Sequence, residues 1–218
     1  MSTPAWTFEH EGYLRAYQWS SALAGGAALP TEQSPIPLGP GEVAHAHLAP
    51  VRITGYFGEN ASYRRSFLLL GGPVGLALTG AASLARNASK KAEAERAARP
   101  RWHDLGTADV VVTSQRMAAT VGGKVESFWY AESGAPELAR GRSSAVQLQP
   151  SGMPLLRLES PWTPLLYVFV HRLVDGRPPA VPLPPGLLER ARAEGRLTAP
   201  AQPTPAATDR SAPPSPGG

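Results

Sequence analysis

Apolar and polar positions follow their most regular pattern between residues 108 and 130, and this stretch predicts a β-hairpin. Two largely apolar runs, 116–121 and 124–130, are joined by Gly122-Gly123. A two-residue connection of this kind is typical of hairpin turns in which both central residues have positive φ. Because the turn sets the register, the pattern also predicts which residues lie opposite one another.

The predicted register divides the hairpin into a buried face and a second face. The expected cross-strand pairs are Val121–Lys124, Ala119–Glu126, Met117–Phe128 and Arg116–Trp129. The face that we expect to be buried consists of Met117, Ala119, Val121 and Phe128. On the other face we expect the Arg116 guanidinium to lie over the Trp129 indole.

Alternation also predicts three further strand regions. Residues 42–57 alternate well enough for one or two strands that are interrupted at Pro50. Residues 143–150 and 154–160 predict two more strands on either side of a turn.

Two other regions have apolar residues at helical spacing. Residues 9–29 predict a helix that either packs on the domain or frays. Residues 161–176 have apolar side chains at i, i+3, i+4 and i+7 and end at Gly176. That pattern predicts an amphipathic helix that closes the domain.

An uncharged stretch, 66–85, separates the first strand region from the hairpin and has the length of a membrane span. Its four glycines and Pro73 weaken that interpretation, because they work against insertion into a bilayer. Residues 83–99 continue as an Ala-rich helix that ends before Pro100. We therefore expect a Gly/Ala-rich helical insertion at about 66–100, with a membrane-inserted 66–85 segment as the alternative.

Composition limits the classes of function. The 218 residues include no cysteine, which excludes disulfides, cysteine-ligated zinc and thiol catalysis. The N-terminus lacks the basic and apolar regions of a secretory signal, so we expect a cytoplasmic protein. The last 42 residues hold 11 of the 24 prolines, which predicts a disordered tail over 177–218 with one short helix at about 187–194.

The net charge of +4 is unevenly placed, because residues 64–101 carry eight basic side chains against Glu93 and Glu95. The candidate contacts to an anionic surface are Arg86, Lys90, Lys91, Arg96, Arg99 and Arg101. Both an anionic lipid surface and a solvated helix face fit this pattern. We do not expect nucleic-acid binding, because aromatic side chains are not interleaved with the basic ones.

The chain has few candidates for catalysis or metal binding. His45 and His47 are two residues apart in a predicted strand, so their side chains should point to the same face, a spacing compatible with two metal ligands. Glu42, His103 or Asp104 could supply a third ligand. His103 and Asp104 are adjacent in the chain, a spacing that seldom makes a catalytic pair. No phosphate-binding glycine motif is present. We therefore predict no catalytic, cofactor-binding or metal residues and no enzymatic activity.

The order of these elements resembles a bacterial pleckstrin-homology-like (GRAM-like) domain, as in actinobacterial proteins with a Gly-rich apolar and basic helical insertion. The matching motifs are Pro40-Gly41-Glu42-Val43 at the first strand, Val112-Thr113-Ser114-Gln115-Arg116-Met117 as the V-T-x-x-R-hydrophobic strand pair, and the last strands and helix over 145–174. This chain has Ser114 where the family usually has Asp. Members that bind phosphoinositides use basic residues in a loop between early strands, but no lipid ligand is assigned to a residue here.

The resemblance implies an α+β fold: a PH-like antiparallel β-barrel or half-barrel closed by a C-terminal amphipathic helix. The expected domains are an N-terminal helix and linker at 1–39, the PH-like domain at 40–176 and the tail at 177–218. The expected function is a non-enzymatic interaction module, without cofactor, that binds a protein or a membrane-surface partner. The alternative is a membrane-inserted protein, anchored by 66–85, with the barrel in the cytosol.

Overall fold

The computed structural model describes residues 6–58, 98–132, 136–138, 145–150 and 153–197. This part of the chain is α+β, as the sequence predicts, with one seven-stranded antiparallel sheet and three α-helices. The strands are β1 (Ala44–Phe57), β2 (Arg101–Thr113), β3 (Arg116–Val121), β4 (Lys124–Trp129), β5 (Glu137–Leu138), β6 (Ala145–Leu148) and β7 (Leu155–Glu159). The helices are α1 (Phe8–Ala24), α2 (Thr163–Asp175) and α3 (Leu187–Ala193), and a single 3-10 turn spans Tyr130–Glu132.

The strand order is β4-β3-β2-β1-β7-β6-β5. Strands that follow one another in the chain are neighbours, except for β4 and β5, which lie at the two edges. The first strand, β1, pairs with both β2 and the last strand, β7. The sheet is therefore a meander whose first and last strands meet, an arrangement compatible with a half-barrel.

The hairpin of β3 and β4 confirms the predicted register. Its cross-strand pairs include Arg116–Trp129, Met117–Phe128, Ala119–Glu126 and Val121–Lys124. Both turn glycines have positive φ, 57° at Gly122 and 79° at Gly123, which is the conformation that the Gly-Gly signal predicts. The predicted apolar face is buried, since Met117, Ala119, Val121 and Phe128 are each at most 6% exposed.

Of the one or two strands predicted over 42–57, the structure has one, and the expected interruption at Pro50 is an irregularity in pairing and not an end of the strand. Strand β1 continues through this residue, and only its pairing with β2 shifts register, between Leu48 and Val51. A proline lacks the N–H that a ladder needs, and an irregularity in register accommodates that loss without ending the strand. The predicted strands near 143–150 and 154–160 are present as β6 and β7 and pair with each other.

Helix α1 packs on α2, so the N-terminal segment is part of the packed structure and is not a frayed end. The two helices approach closely where Gly12 meets the Pro161 carbonyl, a position at which any Cβ atom would overlap the backbone. Trp19 of α1 contacts Phe169 of α2 edge-to-face, with ring centroids 5.5 Å apart. The helix ends at Ala24, five residues earlier than predicted, with Gly25 as its C-cap.

Helix α2 confirms the predicted amphipathic segment and is followed by Gly176, whose φ of 73° makes it a left-handed cap. Its buried side chains include Leu165, Leu166, Phe169 and Val170. They belong to the main hydrophobic cluster, together with inward-facing residues of β1, β2, β3, β6 and β7. The core thus lies between this helix and one face of the sheet.

The predicted disordered tail is partly wrong. Residues 177–197 are described, and α3 lies in them near the position predicted for a short helix. Leu187 and Ala191 of α3 are buried in a small cluster with Tyr13 and Leu14 of α1. The sequence pattern missed this packing because the Pro-rich composition around so short a helix resembles a linker. Residues 198–218 lie outside the described part.

Residues 59–97, which connect β1 to β2, also lie outside the described residues. The predictions for 66–85 and for the basic helix fall mostly within this connection. Among the residues that the structure does describe, no helix is both long and apolar enough to cross a bilayer.

Candidate functional site

The two motifs that carry the family resemblance meet in the structure. Glu42, from the segment just before β1, and Arg116, at the start of β3, are 74 residues apart in the chain and form an ion pair. The Glu42 side chain is fully buried, and the Arg116 side chain is only 14% exposed. A buried charge needs an opposite charge and hydrogen bonds to offset the loss of water, and this site supplies both.

Every oxygen of the Glu42 carboxylate accepts hydrogen bonds. Its Oε1 accepts from the Thr113 hydroxyl at 2.6 Å and from Arg116 Nε at 2.8 Å. Its Oε2 accepts from the Gly39 backbone N–H at 2.7 Å and from Arg116 Nη2 at 3.2 Å. The carboxylate therefore joins the β2–β3 turn to the segment that leads into β1.

Arg116 makes three further contacts in the same place. Its Nη1 donates to Ser127 Oγ of β4 at 2.7 Å, and its Nη2 donates to the Pro37 carbonyl at 3.0 Å. The guanidinium carbon lies 5.1 Å from the centroid of the Trp129 ring, as the hairpin register predicts. Because Arg116 is paired with the buried Glu42 carboxylate and held by these contacts, it acts as a structural cation.

The turn between β2 and β3 is stabilised by the side chains of Thr113 and Ser114. The Thr113 hydroxyl oxygen accepts from the backbone N–H groups of Arg116 and Gln115 at 3.0 and 3.2 Å. Ser114 Oγ accepts from the Val43 N–H at 3.1 Å, and the Ser114 N–H donates to the Val43 carbonyl at 2.8 Å. Ser114 thus binds the strand entry as well as the turn.

The electrostatics of this site favour ionised Glu42. Burial alone raises the pKa of the carboxyl, but hydrogen bonds from Arg116, Gly39 and Thr113, with the Arg116 charge, outweigh it and lower the pKa to about 2. Burial also raises the pKa of the nearby Tyr130 hydroxyl. Neither group is poised to exchange a proton near neutral pH, and the network therefore serves to hold the hairpin in place.

His45 and His47 do not form a metal site together. His45 is buried, and its Nδ1 lies 2.6 Å from the Pro30 carbonyl, whereas His47 is exposed and its Nε2 lies 3.9 Å from Asp109. In the described part of the chain no three histidine or acidic side chains are grouped as a metal site requires. The third-ligand candidates all have other contacts.

The side chains of His103 and Asp104 contact different residues. The His103 ring stacks on Phe57, with centroids 4.2 Å apart, and its Nε2 lies 3.0 Å from the Phe57 carbonyl. Asp104 instead pairs with Arg52, whose Nη2 lies 2.8 Å from Asp104 Oδ2. Alternation along β2 separates the two side chains, so they make no acid–histidine pair.

Of the six predicted surface cations, only Arg99 and Arg101 lie in the described residues, and both are exposed. Arg101 begins β2, beside the end of β1, and Gly58 and Ala98 are in backbone contact. The two ends of the 59–97 connection are therefore adjacent. Arg86, Lys90, Lys91 and Arg96 lie within that connection, outside the described residues.

An aromatic and basic cluster on the outer sheet face was not predicted. Tyr56 lies beside Trp102, with ring centroids 5.3 Å apart, and the Arg157 guanidinium lies 3.8 Å from the Trp102 ring centroid. A second cluster joins the residue before α1 to α3 and the segment after it, where Arg190 and Arg196 lie 4.3 and 4.4 Å from the Trp6 ring centroid. These contacts join residues far apart in the chain, and no local sequence signal marks them.

No protein-family model, curated protein or solved structure matches this chain.

Proposed function

We propose that this chain is a PH-like interaction module, not an enzyme, and that it binds a partner through its surface. The strand order carries the proposal: a seven-stranded meander in which β1 pairs with both β2 and β7, followed directly by α2. The resemblance predicts an order of elements along the chain: strands, a T-x-x-R turn, a Gly hairpin, two more strands and a terminal helix. The elements of this chain follow one another in that order. The contact between the two family motifs at Glu42 and Arg116 gives further support, since it explains why both motifs occur in one chain.

We infer that the partner is an anionic membrane surface and that the module is a cytoplasmic, peripheral protein. The basic residues lie within the β1–β2 connection or at its end, and Arg99 and Arg101 are exposed there. In lipid-binding members of the family that the chain resembles, basic residues in a loop between early strands hold the lipid. Electrostatic attraction of this kind contributes about 1 kcal/mol per basic residue near the surface and is screened by salt.

The test is co-sedimentation of the full chain with phosphatidylcholine vesicles, with and without phosphatidylserine, at low and high salt. The decisive variant changes Lys90, Lys91, Arg96 and Arg99 together to Gln. We expect binding that requires phosphatidylserine and weakens as salt rises. Losing four cations at about 1 kcal/mol each should weaken binding at least tenfold.

A control variant removes the same charge elsewhere. Arg15, Lys124, Arg177 and Arg192 are exposed and lie away from the β1–β2 connection in the sequence, so changing them together to Gln lowers the net charge equally. Equal loss of binding in both variants would mean that net charge, not a defined surface, attracts the chain. Parent protein that ignores phosphatidylserine vesicles at low salt would refute the membrane-surface proposal.

A further inference from the structure

An exposed aromatic side chain lies on the outer sheet face, at the end of β1 that leads into the β1–β2 connection. Tyr56 is 41% exposed, and only the pair Phe57–Arg101 follows it in the β1–β2 ladder. Its ring centroid lies 5.3 Å from that of Trp102, its cross-strand partner. Tyrosine combines an apolar ring with a polar hydroxyl, so it is enriched where proteins meet the boundary between lipid and water.

A cation from a third strand lies against the same aromatic pair. Arg157 of β7 is the cross-strand partner of Thr54, which precedes Tyr56 by two residues and shares its face. The Arg157 guanidinium carbon lies 3.8 Å from the centroid of the Trp102 ring. Its Nε is buried without a hydrogen-bond partner, and no carboxylate in the described part of the chain forms an ion pair with Arg157. Within these residues, the positive charge is therefore not neutralised.

The charges on the outer face differ between its two ends. Away from the connection, Arg52 lies 2.8 Å from Asp104 and 3.8 Å from Glu159, so the cation there is balanced by carboxylates. At the connection end, the exposed Arg99 and Arg101 are close along the chain to the aromatic pair. The aromatic pair therefore lies at the basic end of the face, where an anionic surface is attracted most strongly.

We propose that Tyr56 enters the lipid–water boundary when the chain binds an anionic bilayer, and that Arg157 lies at the level of the lipid phosphates. The inference rests on the proposed membrane-surface function and adds an orientation, in which the connection end of the sheet faces the bilayer. Trp102 stays under the Arg157 guanidinium and supports the Tyr56 ring. Tyr56 is thus the one aromatic side chain that must be accessible, and its exposure meets that requirement.

The position of the aromatic pair favours a bilayer over a protein partner. Gly58 and Ala98 are in backbone contact, so both ends of the connection meet the sheet next to Tyr56. The proposed membrane contacts lie in that connection or at its end, where Arg99 and Arg101 are exposed. A bilayer that these cations attract therefore lies against the same end of the sheet as Tyr56.

Because the chain has no cysteine, a polarity-sensitive dye can be attached to one position of the full chain at a time. Tyr56→Cys carries the dye in the proposed contact, and Val125→Cys, at a position that is 43% exposed, is the control. Thr120, the partner of Val125, pairs with Asp109, roughly 20 Å along β2 from Trp102. On addition of phosphatidylcholine vesicles that contain phosphatidylserine, the dye at 56 should shift to shorter wavelength and lose its quenching by acrylamide. The dye at 125 should do neither.

Co-sedimentation with the same vesicles measures what the two side chains contribute. Tyr56→Ser should weaken binding about threefold, and this loss should persist at high salt because burial of a ring is not screened. Arg157→Gln should weaken binding about fivefold at low salt and less at high salt. The controls are Val125→Ser and Arg15→Gln, and both should bind nearly like the parent. Arg15 is an exposed arginine on α1 that also lies over a tryptophan ring. Thermal unfolding checks that each variant is folded.

The outcomes separate this inference from the membrane-surface proposal. A parent chain that ignores phosphatidylserine vesicles refutes that proposal, and the orientation with it. A chain that binds these vesicles while the dye at 56 stays accessible to acrylamide refutes the orientation alone and leaves the aromatic pair to a protein partner. The orientation is also refuted if Tyr56→Ser or Arg157→Gln binds like the parent, or if the dyes at 56 and 125 respond equally.

Discussion

Replacing Glu42 with Gln is expected to destabilise the fold by about 3–5 kcal/mol. The change keeps the shape of the side chain but removes the counter-charge of Arg116, whose side chain is only 14% exposed. An uncompensated buried cation carries a cost of that size. The single oxygen of Gln can accept from the Thr113 hydroxyl or from the Gly39 N–H but not from both, because the other position becomes a donating NH2 group. The loss therefore combines the missing charge with one missing hydrogen bond.

The lowered pKa of Glu42 gives a second value for the stability that the ionised carboxylate contributes. Its fall from the ordinary 4.5 to about 2 corresponds to about 3 kcal/mol at neutral pH. Because the folded-state pKa lies below the unfolded one, the unfolded chain binds more protons between these values. The stabilisation is therefore complete above about pH 5 and is lost as pH falls through 4.5 towards 2. About 2 kcal/mol of it should be gone by pH 3.

Urea unfolding, followed by tryptophan fluorescence at pH 7 and pH 3, measures the loss of stability in Glu42→Gln and its dependence on pH. We expect Glu42→Gln to lower the free energy of unfolding strongly at pH 7 and clearly less at pH 3, relative to the parent protein. The control is Asp104→Asn, in an ion pair whose two side chains are 53% and 54% exposed, which should cost under about 1 kcal/mol. Equal losses in the two variants, or a Glu42→Gln deficit that does not shrink at pH 3, would refute the structural role of this carboxylate.

Three further changes test the packing. Met117→Asp places a charge at a position that is 1% exposed and should unfold the domain. Lys124→Asp, at the exposed end of β4, should leave the domain folded. Thermal unfolding followed by circular dichroism compares the two variants. Truncation after residue 197 should leave the melting temperature unchanged. Truncation after residue 176 should lower the melting temperature by several degrees, because it removes Leu187 and Ala191 from their contact with α1. Equal melting temperatures for the two truncated chains would mean that α3 contributes nothing to stability. Gly12→Ala should lower the free energy of unfolding, because the overlap of the new methyl group with the Pro161 carbonyl costs more than the higher helix propensity of Ala gains. A variant with a raised melting temperature would contradict the close approach of α1 to the segment that leads into α2.

Local patterns predicted the hairpin well because the Gly122-Gly123 turn determines its register without help from the rest of the chain. The same holds for α2, whose apolar spacing and terminal Gly176 are both local signals. Each element has a period and a stop signal within a few residues, and such information is readable from one sequence.

The buried network could not be predicted as a contact. Glu42 and Arg116 were each identified within a motif, but 74 residues separate them, and only the pairing of β1, β2 and β3 brings them together. The packing of α3 on α1 was missed for the same reason. Its apolar contacts with Tyr13 and Leu14 come from the other end of the chain, whereas its own surroundings have the proline content of a linker.

The measurement that tests the central claim most directly is the release of the membrane-bound full chain by high salt and by alkaline carbonate. A peripheral module held by basic residues should leave the membrane fraction in both washes, because the first screens charge and the second strips proteins that do not span the bilayer. Chain that stays in the membrane pellet after carbonate, and is released by deleting 66–85, would contradict the account and establish the membrane-inserted alternative.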